Sequence, residues 1–199
     1  MIADSLGFTY VNSGSIYRAM TLHVLRCRIN IEDIEEVISI SRQANVEYRN
    51  GRLFLDGVDA EMDLRSAQVD AVVAQLSAIP ALRAIVNKLV CQLAGSTNAV
   101  VEGRDMTTLV FPNAEIKFFL DASADARAKR RFEQRTSCLS LVDIKRNIEM
   151  RDTIDKTKSV GALKIAPDAE YLDSSYLTIQ QVYDKVYGKI LHLREHHGR

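Results

Sequence analysis

The sequence predicts an α/β protein: a parallel sheet with flanking helices, interrupted by a small inserted α+β lobe. Three observations predict it. Short buried apolar runs, among them Phe8-Thr9-Tyr10-Val11, Ala99-Val100-Val101-Glu102 and Ile116 to Asp121, alternate with helical stretches, as parallel strands joined by crossover helices do. Between the first two of these runs the pattern changes to two alternating segments that meet at Asn50-Gly51, the strongest short hairpin signal. The 199 residues, 47% of them hydrophobic, suffice for one core or for one core with a smaller insert.

Taken in order, Met1 to Leu6 followed by Gly7 reads as the last turns of a helix with a glycine at its end. Phe8 to Val11 reads as a buried strand. Asn12 or Ser13 can cap a helix from Ile16 to about Arg28, whose positions Ile16, Ala19, Met20, Val24 and Cys27 recur at helical spacing. A helix is expected over about 31–44. Val46 to Arg49 and Arg52 to Leu55 form the hairpin, and Asp56-Gly57 turns into Val58-Asp59-Ala60. Helices are expected over Leu64–Ile79 and Pro80–Leu93, the second with proline in its first turn. After the strands at 99–102 and 116–121, helices are expected over Ala124–Arg135, Leu141–Thr157 and Ile179–Arg194, with a short strand at Tyr171-Leu172-Asp173. The expected division is a core of residues 1–29 and 96–199, with a short lid near 136–158, and an insert of residues 30–95.

Composition narrows the function. There are 26 Lys and Arg against 26 Asp and Glu, so a protein that grips long polyanions by excess charge is disfavoured. No apolar run approaches the ~20 residues of a membrane span, and Met1 to Ser5 lack the basic start of a signal peptide. Cys27, Cys91 and Cys138 fit no metal-binding spacing and suit a reducing cytoplasm. Residues 127–158 carry ten bases against five acids, which suggests a compact anionic ligand; two solvated helices explain the same charges.

Three segments could carry chemistry. Asn12 to Arg18 lies where a strand passes into a helix, the place where open α/β sheets bind ligands. The helix N-terminus would offer N–H groups to an anion and Arg18 a planar fork; an ordinary N-cap is the plainer reading. Glu102-Gly103-Arg104-Asp105 follows a strand in the same way, with a surface turn as its alternative. In Arg151 to Lys158, Arg151, Asp155 and Lys158 share one helical face, as either a phosphate clamp or a surface salt bridge. No metal site is expected.

Together these segments resemble bacterial-type cytidylate kinases, nucleoside monophosphate kinases of the P-loop superfamily. Asn12-Ser13-Gly14-Ser15-Ile16-Tyr17-Arg18 resembles the family's D-[ST]-G-x-x-Y-R. Ala78-Ile79-Pro80-Ala81-Leu82-Arg83 resembles A-x-P-x-V-R. Glu102 to Met106 with Val110-Phe111-Pro112 resembles G-R-D-M-G-x-x-V-F-P, and Phe119 to Ser123 matches F-L-D-A-S. Arg151-Asp152 through Asp155 to Lys158 resembles R-D-x-x-D-x-x-R, and Leu172 to Ile179 resembles L-D-[ST]-[ST]-x-x-[ST]-I.

The resemblance implies a P-loop-kinase-like fold whose insert binds the monophosphate, and transfer of a phosphoryl group from ATP, with Mg²⁺, to CMP or dCMP. It implies that Ser13, Tyr17 and Arg18 hold the CMP phosphate and sugar, and that Arg83, Arg104 and Asp105 line the pyrimidine and phosphate site. Arg151, Asp155 and Lys158 would serve catalysis. It further implies a cytoplasmic monomer that binds neither nucleic acid nor membrane.

The chain departs from the family's pattern. It contains no G-x-x-x-x-G-K-[ST]. In the family that loop would lie before Met1, so the chain is expected to lack the first central strand, to be truncated at its N-terminus and to be catalytically impaired. Asn12 replaces an acid, Lys158 an arginine, and Ala74 stands where the family often has a serine. The lid around Thr136 to Ser140 looks short. The alternative is a non-catalytic nucleotide-binding or interaction protein derived from this family; a basic-helix nucleic-acid binder rests on residues 127–158 alone.

Overall fold

A computed structural model describes residues 1–49, 51–95, 98–134, 139–157 and 160–197, with side chains to Arg194. The chain divides into two compact units, Ala3–Gly103 and Arg104–Arg199 with Met1–Ile2. Residues 30–95 lie wholly inside the first unit, in company with the strand and helix that precede them.

In the first unit, α1 (Ile2–Leu6) stops at Gly7, whose φ of +66° suits a residue without a Cβ. Phe8 N–H then donates to Ala3 C=O at 2.8 Å and Gly7 N–H to Asp4 C=O at 3.3 Å, so two free carbonyls of the helix end are satisfied. β1 (Thr9–Asn12) pairs in parallel with β5 (Ala99–Glu102), placing Val11 opposite Val101 and Asn12 opposite Glu102. α2 (Ser13–Arg26) follows β1 without a loop because Asn12 is extended and caps it. Ile16, Ala19, Met20 and Val24 of α2 are buried where it packs on α3 (Ile34–Ser41), α4 (Ala67–Ser77) and α5 (Pro80–Ala94).

The hairpin is antiparallel as expected: β2 (Val46–Arg49) pairs with β3 (Arg52–Leu55), Val46 opposite Leu55 and Tyr48 opposite Leu53. Asn50, the first residue of the expected turn, lies outside the described residues. β3 continues into β4 (Val58–Asp59) through Asp56 and Gly57, at φ +52° and +80°, the two positive values that a tight hairpin turn needs. Asp56 holds this conformation from both sides. Its Oδ1 accepts Asn45 N–H at 2.9 Å, and its Oδ2 accepts His23 Nδ1–H at 2.8 Å from α2. Leu53 and Leu55 face inward and are fully buried, each contributing about 1.5–3 kcal/mol of transfer energy.

Two boundaries fall inside the expected ones. The helix expected at 31–44 begins only at Ile34, because Asp33 Oδ1 accepts Glu36 N–H at 3.0 Å and so caps it there. The helix expected at 64–79 is split into a 3₁₀ turn over Asp63–Arg65 and α4, because Ser66 between them is extended. The helix expected to start at Ile16 starts earlier, at Ser13.

In the second unit, a π-helical turn over Met106–Val110 leads to β6 (Phe118–Asp121), which pairs in parallel with β7 (Glu170–Asp173). α6 (Ala124–Glu133), α7 (Leu141–Thr157) and α8 (Ile179–His197) complete it. β6 begins two residues later than expected. Lys117, just before it, is buried with its ammonium 2.5 Å from both Pro112 C=O and Asp168 Oδ2. Among the described residues the parallel strands make two two-stranded ladders, one in each unit.

Candidate functional site

The turn from β1 into α2 is organised by Asn12. Its Oδ1 accepts Ser15 N–H at 3.0 Å, which satisfies one free donor of the helix start. Its Nδ2 donates to Tyr10 Oη at 3.3 Å and to Glu102 Oε1 on the neighbouring strand. Tyr48, reaching over from β2, accepts from Asn12 N–H at 3.3 Å and donates to Asn12 C=O at 3.4 Å. Burial pushes the Tyr48 phenol up to about 12, and burial with the Glu102 carboxylate does the same to Tyr10. Both phenols are thus neutral donors at ordinary pH. An amide at position 12 suits this setting, because it can donate to Glu102, whereas an ionised carboxylate there could not.

Behind this turn, Ser13 and Tyr17 are buried on α2. Arg83, in the first turn of α5, is only 3% exposed, donates through Nη1 to Ser77 C=O at 3.1 Å and lies over the Tyr17 ring, 5.5 Å from its centroid. The ring face meets the guanidinium charge there, and the Ser77 carbonyl, near the end of α4, accepts from it. Arg18, the next residue, has other partners. Its Nη1 donates to Leu64 C=O at 2.8 Å and lies 2.7 Å from Asp70 Oδ1. Ala74 is exposed on α4. The first unit thus brings Arg83 against Tyr17, while Ser13, Tyr17 and Arg18 share the first turns of α2.

In the second unit Arg104 and Asp155, fifty-one residues apart, are joined: Arg104 Nε donates to Asp155 Oδ2 at 2.8 Å. Asp155 is largely buried on α7, and Arg151 is exposed one turn earlier on the same helix. Asp105 is buried at the head of the π turn, where its carbonyl accepts Leu109 N–H at 2.9 Å and Val110 N–H at 3.3 Å. Lys158 and Thr136 lie outside the described residues.

Sequence reasoning missed the groups that hold these residues in place. Arg127 of α6 clasps Asp152 of α7 with both arms, Nη1–Oδ1 at 2.8 Å and Nη2–Oδ2 at 2.5 Å. That fork holds the Asp152 carboxyl below the usual carboxylate range. Asp70, Glu102 and Tyr48 likewise act on residues that no spacing links to them. Only Asp70, in the first turn of a helix after the capping Ser66, sat at a place where sequence rules expect an acid.

Among the described residues no three His, Cys, Asp or Glu side chains come together as a metal group. None of the described helices is by itself long and apolar enough to cross a membrane. A family model described as cytidylate kinase matches residues 1–192. The chain is similar to the cytidylate kinase of Caldanaerobacter subterraneus subsp. tengcongensis, 36% identical over 192 residues, covering 95% of this chain and 86% of that protein. It is similar to that of Limosilactobacillus reuteri, 36% identical over 194 residues, covering 94% and 85%. The cytidylate kinase of Borrelia duttonii is 34% identical over 188 residues, covering 92% and 86%. A match of this extent to one family model, supported by relatives above 30% identity along nearly the whole sequence, means that the chain belongs to the cytidylate kinase family.

Proposed function

We propose that the protein transfers the γ-phosphoryl group of ATP to CMP or dCMP, giving CDP or dCDP and ADP, as a monomer in the cytoplasm. In the first unit Ser13, Tyr17 and Arg18 take the monophosphate and sugar, and Arg83 faces the same ligand. In the second, Arg104 and Asp105 serve pyrimidine recognition, and Arg151, Asp155 and Lys158 serve the phosphate and ribose. Residues 30–95 act as the monophosphate-binding insert and the segment near 136–158 as a lid. The observation that carries this reading is the buried Arg83 guanidinium over the Tyr17 ring, 5.5 Å from its centroid, with Arg18 the next residue of α2 and held through Nη1 at Leu64 C=O. Phosphoryl transfer asks a protein for positioning and charge neutralisation rather than covalent chemistry, and arginine forks supply both. Asp105 can accept from the cytosine amino group, which uracil lacks, and an acceptor left unpaired discriminates strongly.

The family implies magnesium. That ion enters with ATP, held chiefly by the nucleotide phosphates and water rather than by a carboxylate cluster, and no step is assigned to it. Calorimetry with CMP, UMP and cytidine, followed by a coupled ADP assay with ATP, Mg²⁺ and CMP, tests the reading. CMP binding with turnover supports it, and absence of CMP binding overturns it.

A further inference from the structure

We propose that Asp70, together with the carbonyl of Leu64, is a positioning pair that presents Arg18 to a phosphate group. The inference rests on the monophosphate reading of Arg18 given above. A guanidinium carries five N–H groups, and only its two-nitrogen edges match the two oxygens of a phosphate. In Arg18 both contacts fall on Nη1, a hydrogen bond to Leu64 C=O at 2.8 Å and an ion pair with Asp70 Oδ1 at 2.7 Å. Among the described residues the Nε–Nη2 edge makes no bond. The side chain is nevertheless well covered, at 23% exposure. One nitrogen is therefore fixed and the bidentate edge is left for an anion.

The two acceptors are themselves held. Leu64 is buried in the 3₁₀ turn, and Asp70 stands in the first turn of α4, which buries Val69 and Val73. A free arginine loses several rotatable bonds on meeting a phosphate; one already held at Nη1 loses fewer. Asp70 also carries a like charge to the phosphate, but at 48% exposure water screens it. Orientation is then the larger effect.

The test compares CMP with cytidine by calorimetry on the whole chain, since the ratio of the two affinities isolates the phosphate. Asp70→Ala should lower CMP affinity by about tenfold and leave cytidine unchanged, as expected for a loosened charge-assisted contact. Asp70→Asn keeps an Oδ1 acceptor and should hold CMP within about threefold of the parent. In an Arg18→Ala background Asp70→Ala should have no further effect on CMP. An unchanged CMP-to-cytidine ratio in Asp70→Ala overturns the proposal, as does tighter CMP binding, which would make Asp70 a competitor of the phosphate. Asp70→Asn losing as much as Asp70→Ala overturns the orienting role. A parent chain that binds CMP no better than cytidine overturns the monophosphate site itself, and the proposal with it. The two failures are thus distinguishable.

Discussion

The helix that carries Arg151 and Asp155 is held to its unit largely by charge, and this makes its attachment pH-dependent. Of the α7 residues only Ile144 is buried. Two ion pairs tie α7 to α6: the Arg127–Asp152 fork, and Lys145 Nζ to Asp125 Oδ1 at 2.8 Å. Consider Asp152→Asn, which keeps the shape and removes the charge. A hydrogen bond to a charged group contributes about 1.5–3 kcal/mol, and an exposed ion pair about 0.2–1. Arg127 and Asp152 are 35% and 30% exposed, so the fork lies between these cases. The expected loss is about 1 kcal/mol, or roughly 2–4 °C in melting temperature for a chain of this size.

The pH dependence follows from the direction of the Asp152 shift. Its carboxyl is held low in the folded state, chiefly by the Arg127 hydrogen bonds. The folded form therefore binds its proton less readily than the unfolded form, whose carboxyl titrates near about 3.9. The stabilisation is fully present above that value and is lost as pH falls through the folded value beneath it. Urea unfolding of parent and Asp152→Asn at pH 7, 5, 4 and 3 should show a constant gap from pH 7 to 5. Below about pH 4 the gap should close. At 1 M salt and pH 7 it should also shrink. A gap as wide at pH 3 as at pH 7 would refute the electrostatic account and assign the cost to packing.

Other outcomes follow from single contacts. Leu53→Ala, in a fully buried position of β3, should cost about 2–5 kcal/mol in urea unfolding. Gly7→Ala meets no atom within 4 Å but keeps φ at +66°, so its cost of about 1 kcal/mol should appear with no change in the structure around it. Arg18→Ala, Arg104→Ala and Arg151→Ala should each weaken CMP binding by about 2 kcal/mol, with full affinity in all three removing them from the site. Asp105→Asn should reduce the preference for CMP over UMP rather than the affinity for both, measured by parallel titrations.

The element types were legible because each rests on local chemistry. Asn50-Gly51 can hardly be anything but a hairpin turn, and Leu6-Gly7 after a helical run can hardly be anything but a helix end; β2, β3 and α1 stand where those signals put them. The boundaries that moved did so through side chains acting on the backbone. Asp33 and Ser66 each cap a helix by accepting an N–H three residues on, at 3.0 and 3.5 Å, and each falls inside a longer apolar pattern in the sequence. Periodicity sees the buried face and does not see the cap. Which strand pairs with which was not legible, since a buried apolar run identifies a strand without naming its neighbour.

The same division runs through the site. Arg18, Arg83, Arg104 and Asp105 could be singled out because they stand in the segments that carry the family resemblance; on the proposed reading, a ligand with a phosphate and a pyrimidine restricts which side chains can meet it, and that restriction leaves a motif. Asp70, Tyr48 and Asp152 leave none. Asp70 holds Arg18 across fifty-two residues of chain, Tyr48 holds Asn12 across thirty-six, and Arg127 holds Asp152 across twenty-five. Any acceptor or donor that the fold brought to the same spot could do as much, so their identity is set by the packing of α4, β2 and α7 and not by the ligand. Two consequences are testable by substitution. A residue that meets the ligand should tolerate almost no replacement, Lys for Arg included, because the fork itself is read. A residue that holds another should tolerate any replacement that keeps one oxygen in place. Asp70→Asn and Arg18→Lys therefore make the sharpest pair: the first should spare CMP binding and the second should not.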